Sequence, residues 1–384
     1  MEHPAALAGP PVDWAALRRV LVVRPDNLGD VVMAGPAVRA LHRAAPNARL
    51  DLLAAPAGAA VAALVPHVDG VLTAPVSWQQ LDPAEVPPDA DRALVRRLAR
   101  GRYDAAVVLT SFSQSPWPAA YLCRLAGVPV RVGESKEFGG AGLTHWVPAP
   151  PDASHQVDRM LHVLERVGVP SAGAELRLDL PPPARVEARE ALARRGIGAG
   201  EPYAVLLPGA SCPARRYPPE RFARVAADLS AAGLAVVVAG SAREAALVAQ
   251  VTGAGRATTT GPVPPARHAT TTAPTPRTRR ATVTGETGLG VPGLAALIAG
   301  SAVVVSNNSG GAHLASASGR PVVVLFAGTE EPAQYAPRGT PAAVLTVPTS
   351  CAPCRQLRCP YGLECLDIPP PDVARHALRL AGGG

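Results

Sequence analysis

Aromatic residues are scarce in this chain, 4% of 384 positions, and no stretch interleaves them with a run of Lys or Arg. Nucleic acid is therefore a poor partner for it. No apolar run reaches the roughly 18 residues that a membrane-crossing helix needs. The start, Met1–Trp14, lacks a basic segment followed by an apolar core, so no signal peptide is expected. Six cysteines in a chain this long do not make a secreted disulfide scaffold. Together these absences point to the cytoplasm. What the chain does have is aliphatic bulk, enough to build two domains of ordinary size. Ala, Arg, Pro and Gly are over-used, as in a GC-rich coding sequence. The formal charge is +7, from 37 basic and 30 acidic residues. Much of it is dispersed arginine, which favours anionic ligands or a membrane surface.

The hydrophobic pattern alternates between short buried-type strands and helices. Arg19–Arg24 reads as a strand without period-two alternation, followed by a helix over Val31–Arg43. Arg49–Leu53, Gly70–Thr73, Tyr103–Thr110 and Val128–Gly133 read as further strands, with helices between them. Strands that are apolar on both faces and alternate with helices mean a parallel, doubly wound sheet. After a Pro-rich connector at Leu180–Pro183 the pattern restarts, with strands at Tyr203–Leu207, Leu234–Ala239, Val303–Val305 and Pro321–Phe326. We expect an α/β protein of two Rossmann-like domains, 1–180 and 181–384. Such sheets bind ligands beyond the carboxyl ends of their strands, and two of them facing one another would form a cleft. Residues 253–286 are rich in Thr, Pro and Arg and nearly devoid of large apolar side chains. They are expected to be a disordered, low-complexity insert in the second domain.

Five segments carry chemistry. The central one, Val303–Phe326, is strand, polar turn, helix and strand. Its turn, Ser306-Asn307-Asn308-Ser309-Gly310-Gly311, points backbone N–H groups and a positive helix end at one spot suited to phosphate. The alternative is an ordinary turn capped by Ser309 or Asn308. His313 follows on the same helix, close enough to donate to a phosphate oxygen. In Arg24–Pro36, Gly29 is expected to make a tight turn and Asp30 to stand at a helix start. Asp30 is either an N-cap or a carboxylate placed to take a proton from an attacking hydroxyl. In Leu206–Pro218, Ser211 and the pair Arg215-Arg216 follow a strand end, where arginine can grip phosphate with two hydrogen bonds. The other reading is a solvated basic loop. Glu244, just past a strand end, either accepts from ribose hydroxyls or merely sits in the first turn of a surface helix. Cys351, Cys354, Cys359 and Cys365, spaced C-x2-C-x4-C-x5-C, either gather a metal or remain structural thiols; no standard finger has this spacing. No Gly-x-Gly-x-x-Gly follows the first strand, which argues against a dinucleotide-dependent dehydrogenase.

Taken in order, these segments resemble glycosyltransferase family 9, the ADP-heptose:lipopolysaccharide heptosyltransferases. The carriers are Asn27-Leu28-Gly29-Asp30 with Pro36-Ala37, Pro208-Gly209-Ala210-Ser211 leading to Arg215-Arg216-Tyr217-Pro218, Gly240-Ser241 with Glu244, and Ser306–Ala315. The tail from Cys351 to Leu366 is similar to the cysteine-bearing end of heptosyltransferase II-like members. The resemblance spans nearly the whole chain except 253–286. It implies the two-domain GT-B arrangement and inverting, metal-independent transfer with no cofactor. It implies an ADP-sugar donor, a glycan or glycolipid acceptor, and peripheral contact with the inner membrane surface. It makes Asp30 the base, with Asn27 and Gly29 on the acceptor-side loop of an acceptor-binding first domain. The second domain would bind the nucleotide sugar, with Ser211, Arg215, Arg216, Asn308, Ser309, Gly310, Gly311 and His313 around the diphosphate and Glu244 on the ribose. This chain departs in carrying Asn308-Ser309-Gly310 where the family usually has Asp-Thr-Gly, and Arg215 where Lys is frequent. A donor with another sugar or base, or nucleotide-sugar binding without transfer, are the alternatives.

Overall fold

The computed structural model describes residues 9–79, 86–87, 89–257 and 281–382. The chain forms two compact units. One holds the chain up to Asp179 together with Ala333–Arg338; the other holds Leu180–Pro332 and the chain from Gly339 onward.

The first unit is a six-stranded sheet of β1 (Arg19–Val23), β2 (Arg49–Ala54), β3 (Gly70–Thr73), β4 (Ala105–Val108), β5 (Val130–Ser135) and β6 (His145–Pro148). All neighbours are parallel and the order is β3-β2-β1-β4-β5-β6. Val20–Val23 of β1 and all of β4 are buried, as a central strand covered on both faces must be. Helices α1 (Leu28–Met33) and α2 (Gly35–Ala44) follow β1, α3 (Pro56–Ala62) follows β2, α4 (Asp89–Gly101) follows β3, α5 (Trp117–Leu125) follows β4, and α6 (Gln156–Glu165) follows β6. The single helix expected over Val31–Arg43 is two helices. Ala34 ends α1 and starts α2, and Pro36 in the first turn of α2 lacks the N–H that would continue the ladder.

The second unit repeats the plan with β7 (Tyr203–Leu207), β8 (Ala235–Ala239), β9 (Val283–Glu286), β10 (Val303–Asn307), β11 (Val322–Leu325) and β12 (Ala342–Leu345). Its order, β12-β11-β10-β7-β8-β9, is again wholly parallel. Its helices are α7 (Pro182–Ala193), α8 (Pro219–Ala231), α9 (Ala245–Ala257), α10 (Val291–Ala299), α11 (Gly310–Ala317) and the C-terminal α13 (Pro370–Gly382). The short helix α12 (Pro332–Tyr335) leads into the Ala333–Arg338 segment of the first unit. Prolines stand in the first turns of α2, α3, α5, α7, α8 and α10, where a missing N–H costs nothing.

The insert expected over 253–286 is shorter than the composition implied. Residues 253–257 belong to α9, and Val283–Glu286 is edge strand β9 on β8; 258–280 lie outside the described residues. Composition missed β9 because its own side chains are small and polar. Its place comes from the ladder to β8 and from buried Glu286, which pairs with Arg195 at 2.7 Å. Among the described residues no helix is long and apolar enough to cross a membrane.

Candidate functional site

Both sheets change winding direction at one place, between β1 and β4 in the first unit and between β7 and β10 in the second. Loops leaving the carboxyl ends of those strands part there, so side chains can gather. Most of the residues singled out from sequence lie at these two places.

In the first unit the gathering point is Arg24, the residue after β1. It is fully buried. Its Nη1 donates to Leu109 O at 3.1 Å, and its Nη2 donates to Ser111 Oγ at 2.8 Å and to Asp30 Oδ1 at 3.1 Å. Asp26 Oδ2 lies 3.2 Å from Arg24 Nε but out of line for a hydrogen bond. Asp26 Oδ1 accepts from Gln114 Nε2 at 2.6 Å, and Gln114 Oε1 in turn accepts from Ser111 N at 2.8 Å. Burial works against the Arg24 charge, and Asp26 and Asp30 more than offset it, raising its proton affinity. Burial pushes the Asp26 carboxyl up against the pull of Arg24, and Asp30 adds to the rise. One guanidinium therefore fixes two carboxylates, of which Asp30 is the more exposed, 18% against 5% for Asp26.

The N-cap of α1 is Asn27, an exposed residue whose side chain makes no capping bond, and Asp30 stands one turn further on. The N-cap reading of Asp30 is thereby corrected: Asn27 takes that position because the chain enters the helix at Leu28. Gly29 is also corrected, being a buried residue inside α1 while Pro25–Asn27 make the turn. Arg24, Asp26 and Gln114 were missed. The sequence signal for Arg24 was available, a charged residue at the end of an apolar strand. Gln114 joins from a loop some ninety residues away and leaves no local sign.

In the second unit the knot is Asn307, the last residue of β10 and fully buried. Its Oδ1 accepts from Tyr217 N at 3.0 Å and its Nδ2 donates to Pro208 O at 2.8 Å. It thus ties the turn after β10 to the loop after β7. The sequence places Ser306 and Asn307 in the turn, but both pair in β10, and Asn307 was not singled out beside Asn308. Asn308 Oδ1 accepts from Ala327 N at 3.1 Å, and its buried Nδ2 has no partner within the protein. Ser309 is the N-cap of α11 and extended, its side chain making no cap bond. The helix starts at Gly310, two residues earlier than expected. A Cβ at Gly311 would collide with Leu207 and sit 3.1 Å from Ser306 Oγ, so glycine is needed to seat the helix on β7. His313 is buried one turn in.

Glu244 reaches back to this knot. Its Oε2 accepts from Ser241 N and Ser241 Oγ, both at 2.8 Å, and its Oε1 lies against Gly209, where any Cβ would strike it. Ser211 is exposed on the loop after β7. Arg216 spans back to Ala210 O at 3.1 Å. Arg215 is not a free cation. Its Nε donates to Thr329 Oγ1 at 3.1 Å and its Nη2 pairs with Glu330.

The four cysteines differ in exposure, from exposed Cys351 to buried Cys365. Among the described residues no group of three or more His, Cys, Asp or Glu side chains is arranged to hold a metal ion. The loop also has a packing role. Cys354 N donates to Gly328 O at 2.9 Å, Arg355 N to Thr329 O at 3.1 Å, and Ala214 N to Leu357 O at 3.1 Å. The loop therefore braces both Arg215 and its partner Thr329.

Comparison with known proteins agrees with this geometry. The model of "Glycosyltransferase family 9 (heptosyltransferase)" matches residues 91–364. Lipopolysaccharide heptosyltransferase 2 of Escherichia coli (strain K12) is 26% identical over 314 residues, 80% of this chain and 82% of that protein. Its counterpart from Salmonella typhimurium gives the same identity and coverage. Among solved structures, the family 9 glycosyl transferase from Veillonella parvula DSM 2008 superposes with a TM-score of 0.74 at 20% identity, over 97% of this chain and 99% of that one. The E. coli ADP-heptose lps heptosyltransferase II gives 0.70 at 23%, over 94% and 98%. The fold is thus GT-B, two Rossmann-like α/β units on one chain. With its family model covering well over half its length, and its strand-end motifs in that family's order, this chain belongs to glycosyltransferase family 9.

Proposed function

We propose that this glycosyltransferase moves a heptose from ADP-heptose to a hydroxyl of a lipopolysaccharide-core-like glycan on the cytoplasmic face of the membrane, with inversion at the anomeric carbon. The observation that carries the reading is Asp30, partly exposed at the end of β1 and gripped through Oδ1 by the buried Arg24 guanidinium, in a chain whose relatives are named lipopolysaccharide heptosyltransferase 2.

Arg24 orients Asp30 and leaves Oδ2 for the acceptor hydroxyl. As the acceptor oxygen bonds to the anomeric carbon, Asp30 takes its proton and the bond to the diphosphate oxygen breaks, releasing ADP. Positive charge builds on the sugar ring, as in glycoside hydrolysis. The departing diphosphate gains negative charge, which the first-turn N–H groups of α11 at Gly310 and Gly311, the Ser309 and Ser211 hydroxyls, the Asn308 Nδ2 amide, His313 and the Arg215-Arg216 pair are suited to receive. Glu244 Oε1, turned toward Gly209, is suited to ribose hydroxyls.

The test mixes protein, ADP-heptose and a core-glycan acceptor and follows ADP release, with NMR of the product for anomeric configuration. Asp30→Ala should lower turnover roughly 10²–10⁴-fold, the size of a general-base contribution, with ADP affinity by calorimetry unchanged. Undiminished turnover in that variant, or retention of configuration, would defeat the mechanism.

A further inference from the structure

Helices α4 and α5 lie side by side on one face of the first sheet, burying Leu94, Leu98, Ala119 and Cys123 in a shared core. Their outward faces carry arginines and protruding apolar side chains. On α4, Arg92, Arg96 and Arg100 recur at i, i+4 and i+8, opposite the buried Leu94 and Leu98, and all three are exposed. Arg92 pairs with Asp89 at 2.7 Å. Over α4, Arg102 and α5 there are six arginines against two aspartates. On α5, Tyr121 and Leu125 stand outward one turn apart, 57% and 56% exposed, with exposed Arg124 between them. Arg124 Nη1 donates to Ala141 O at 3.1 Å, tying α5 to the loop that carries Phe138, 65% exposed. Among the described residues six large apolar side chains are exposed, and three of the six are here.

We infer that the outward face of α4 and α5, with Phe138, docks on an anionic lipid bilayer. Arginines spaced along one helix face meet the negative surface potential of anionic headgroups. Tyr, Phe and Leu side chains that protrude singly suit the headgroup boundary, where an amphipathic ring or aliphatic tip can bury beside charge. An RNA or DNA strand would call instead for aromatics interleaved among the cations as stacking platforms, and α4, which carries the arginine column, has no aromatic residue. The surface contains none of the residues assigned above to donor, acceptor or proton transfer. The inference deepens the proposed transfer, whose acceptor is carried on a membrane. Vesicle binding tests the surface and ADP release in solution tests the transfer, so either can fail alone.

The experiment sediments the full chain with phosphatidylcholine vesicles, with and without phosphatidylglycerol, at low and high salt. Binding should require the anionic lipid and weaken with salt. Each arginine near such a surface contributes about fivefold in affinity, so R92Q/R96Q/R100Q should bind roughly a hundredfold more weakly by the same rule. Y121S/L125S should also lose binding, at both salt levels. Both variants should release ADP from donor and a soluble acceptor fragment at the normal rate and keep the normal far-UV spectrum. Equal binding to neutral vesicles, wild-type binding by the arginine variant, or arginine-dependent capture of duplex DNA in preference to vesicles would overturn the assignment.

Discussion

His155 makes the first unit acid-sensitive in a way that can be sized. It is the N-cap of α6 and is buried. Its Nδ1 accepts from Val157 N at 3.2 Å, and its Nε2 faces Ala336 O at 3.0 Å. Both bonds are satisfied by the neutral ring protonated on Nε2. A proton on Nδ1 would meet an N–H already pointing at it. Burial, with Arg338 adding to it, lowers the imidazole to about 4 despite the favourable Ala336 bond and Asp158. The unfolded chain has the usual value near 6.5. Between the two values the unfolded state binds the extra proton, so stability is complete above pH ~6.5 and falls as the pH drops toward ~4. The loss over that window is about 3 kcal/mol, at ~1.4 kcal/mol per pH unit. His155→Asn keeps a cap acceptor for Val157 N and removes the titration. All four tryptophans, Trp14, Trp78, Trp117 and Trp146, belong to the first unit, so urea melts followed by tryptophan fluorescence report on it. Measured at pH 7 and pH 4, the wild type should lose about 3 kcal/mol more than His155→Asn, since the carboxylates titrate in both. Equal losses in the two proteins would refute the reasoning.

Three further outcomes follow from the geometry. Arg24→Met leaves Asp26 and Asp30 without their cation and should destabilise the first unit by about 3–5 kcal/mol, the cost of breaking a buried pair from one side; a urea midpoint unchanged from wild type would contradict it. Gly311→Ala drives a methyl into Leu207 and should cost ~1–3 kcal/mol while weakening ADP, which a thermal-shift titration with ADP would register. Glu330→Gln releases Arg215 from its half-buried ion pair and should tighten ADP up to about fivefold, the worth of such a pair; weaker binding by calorimetry would mean that Glu330 belongs to the donor seat.

The cysteine loop shows what a local reading leaves out. Four thiols lie within fifteen residues, from exposed Cys351 to buried Cys365. What the loop supplies is backbone: carbonyl and amide groups that hold Ala214 and Thr329. Such bonds carry no residue-type signature. Edge strand β9 was lost for a related reason. Val-Thr-Gly-Glu has no hydrophobic period, and only the vacant side of β8 makes it a strand.

The sequence by itself determined the repeated strand–helix rhythm, the parallel sheets, and the positions of Asp30, Glu244 and Ser309 just beyond strand ends. These depend on hydrophobic period and on glycine and helix-start chemistry, all of which are local. Only the tertiary structure decided what surrounds those residues: Ser111 and Leu109 on Arg24, Asn307 between the loops after β7 and β10, and Glu330 on Arg215. Those partners come from separate strand ends that meet where the winding of each sheet reverses. Chain distance between them is set by the intervening crossover helices, so no spacing rule in the sequence could announce them.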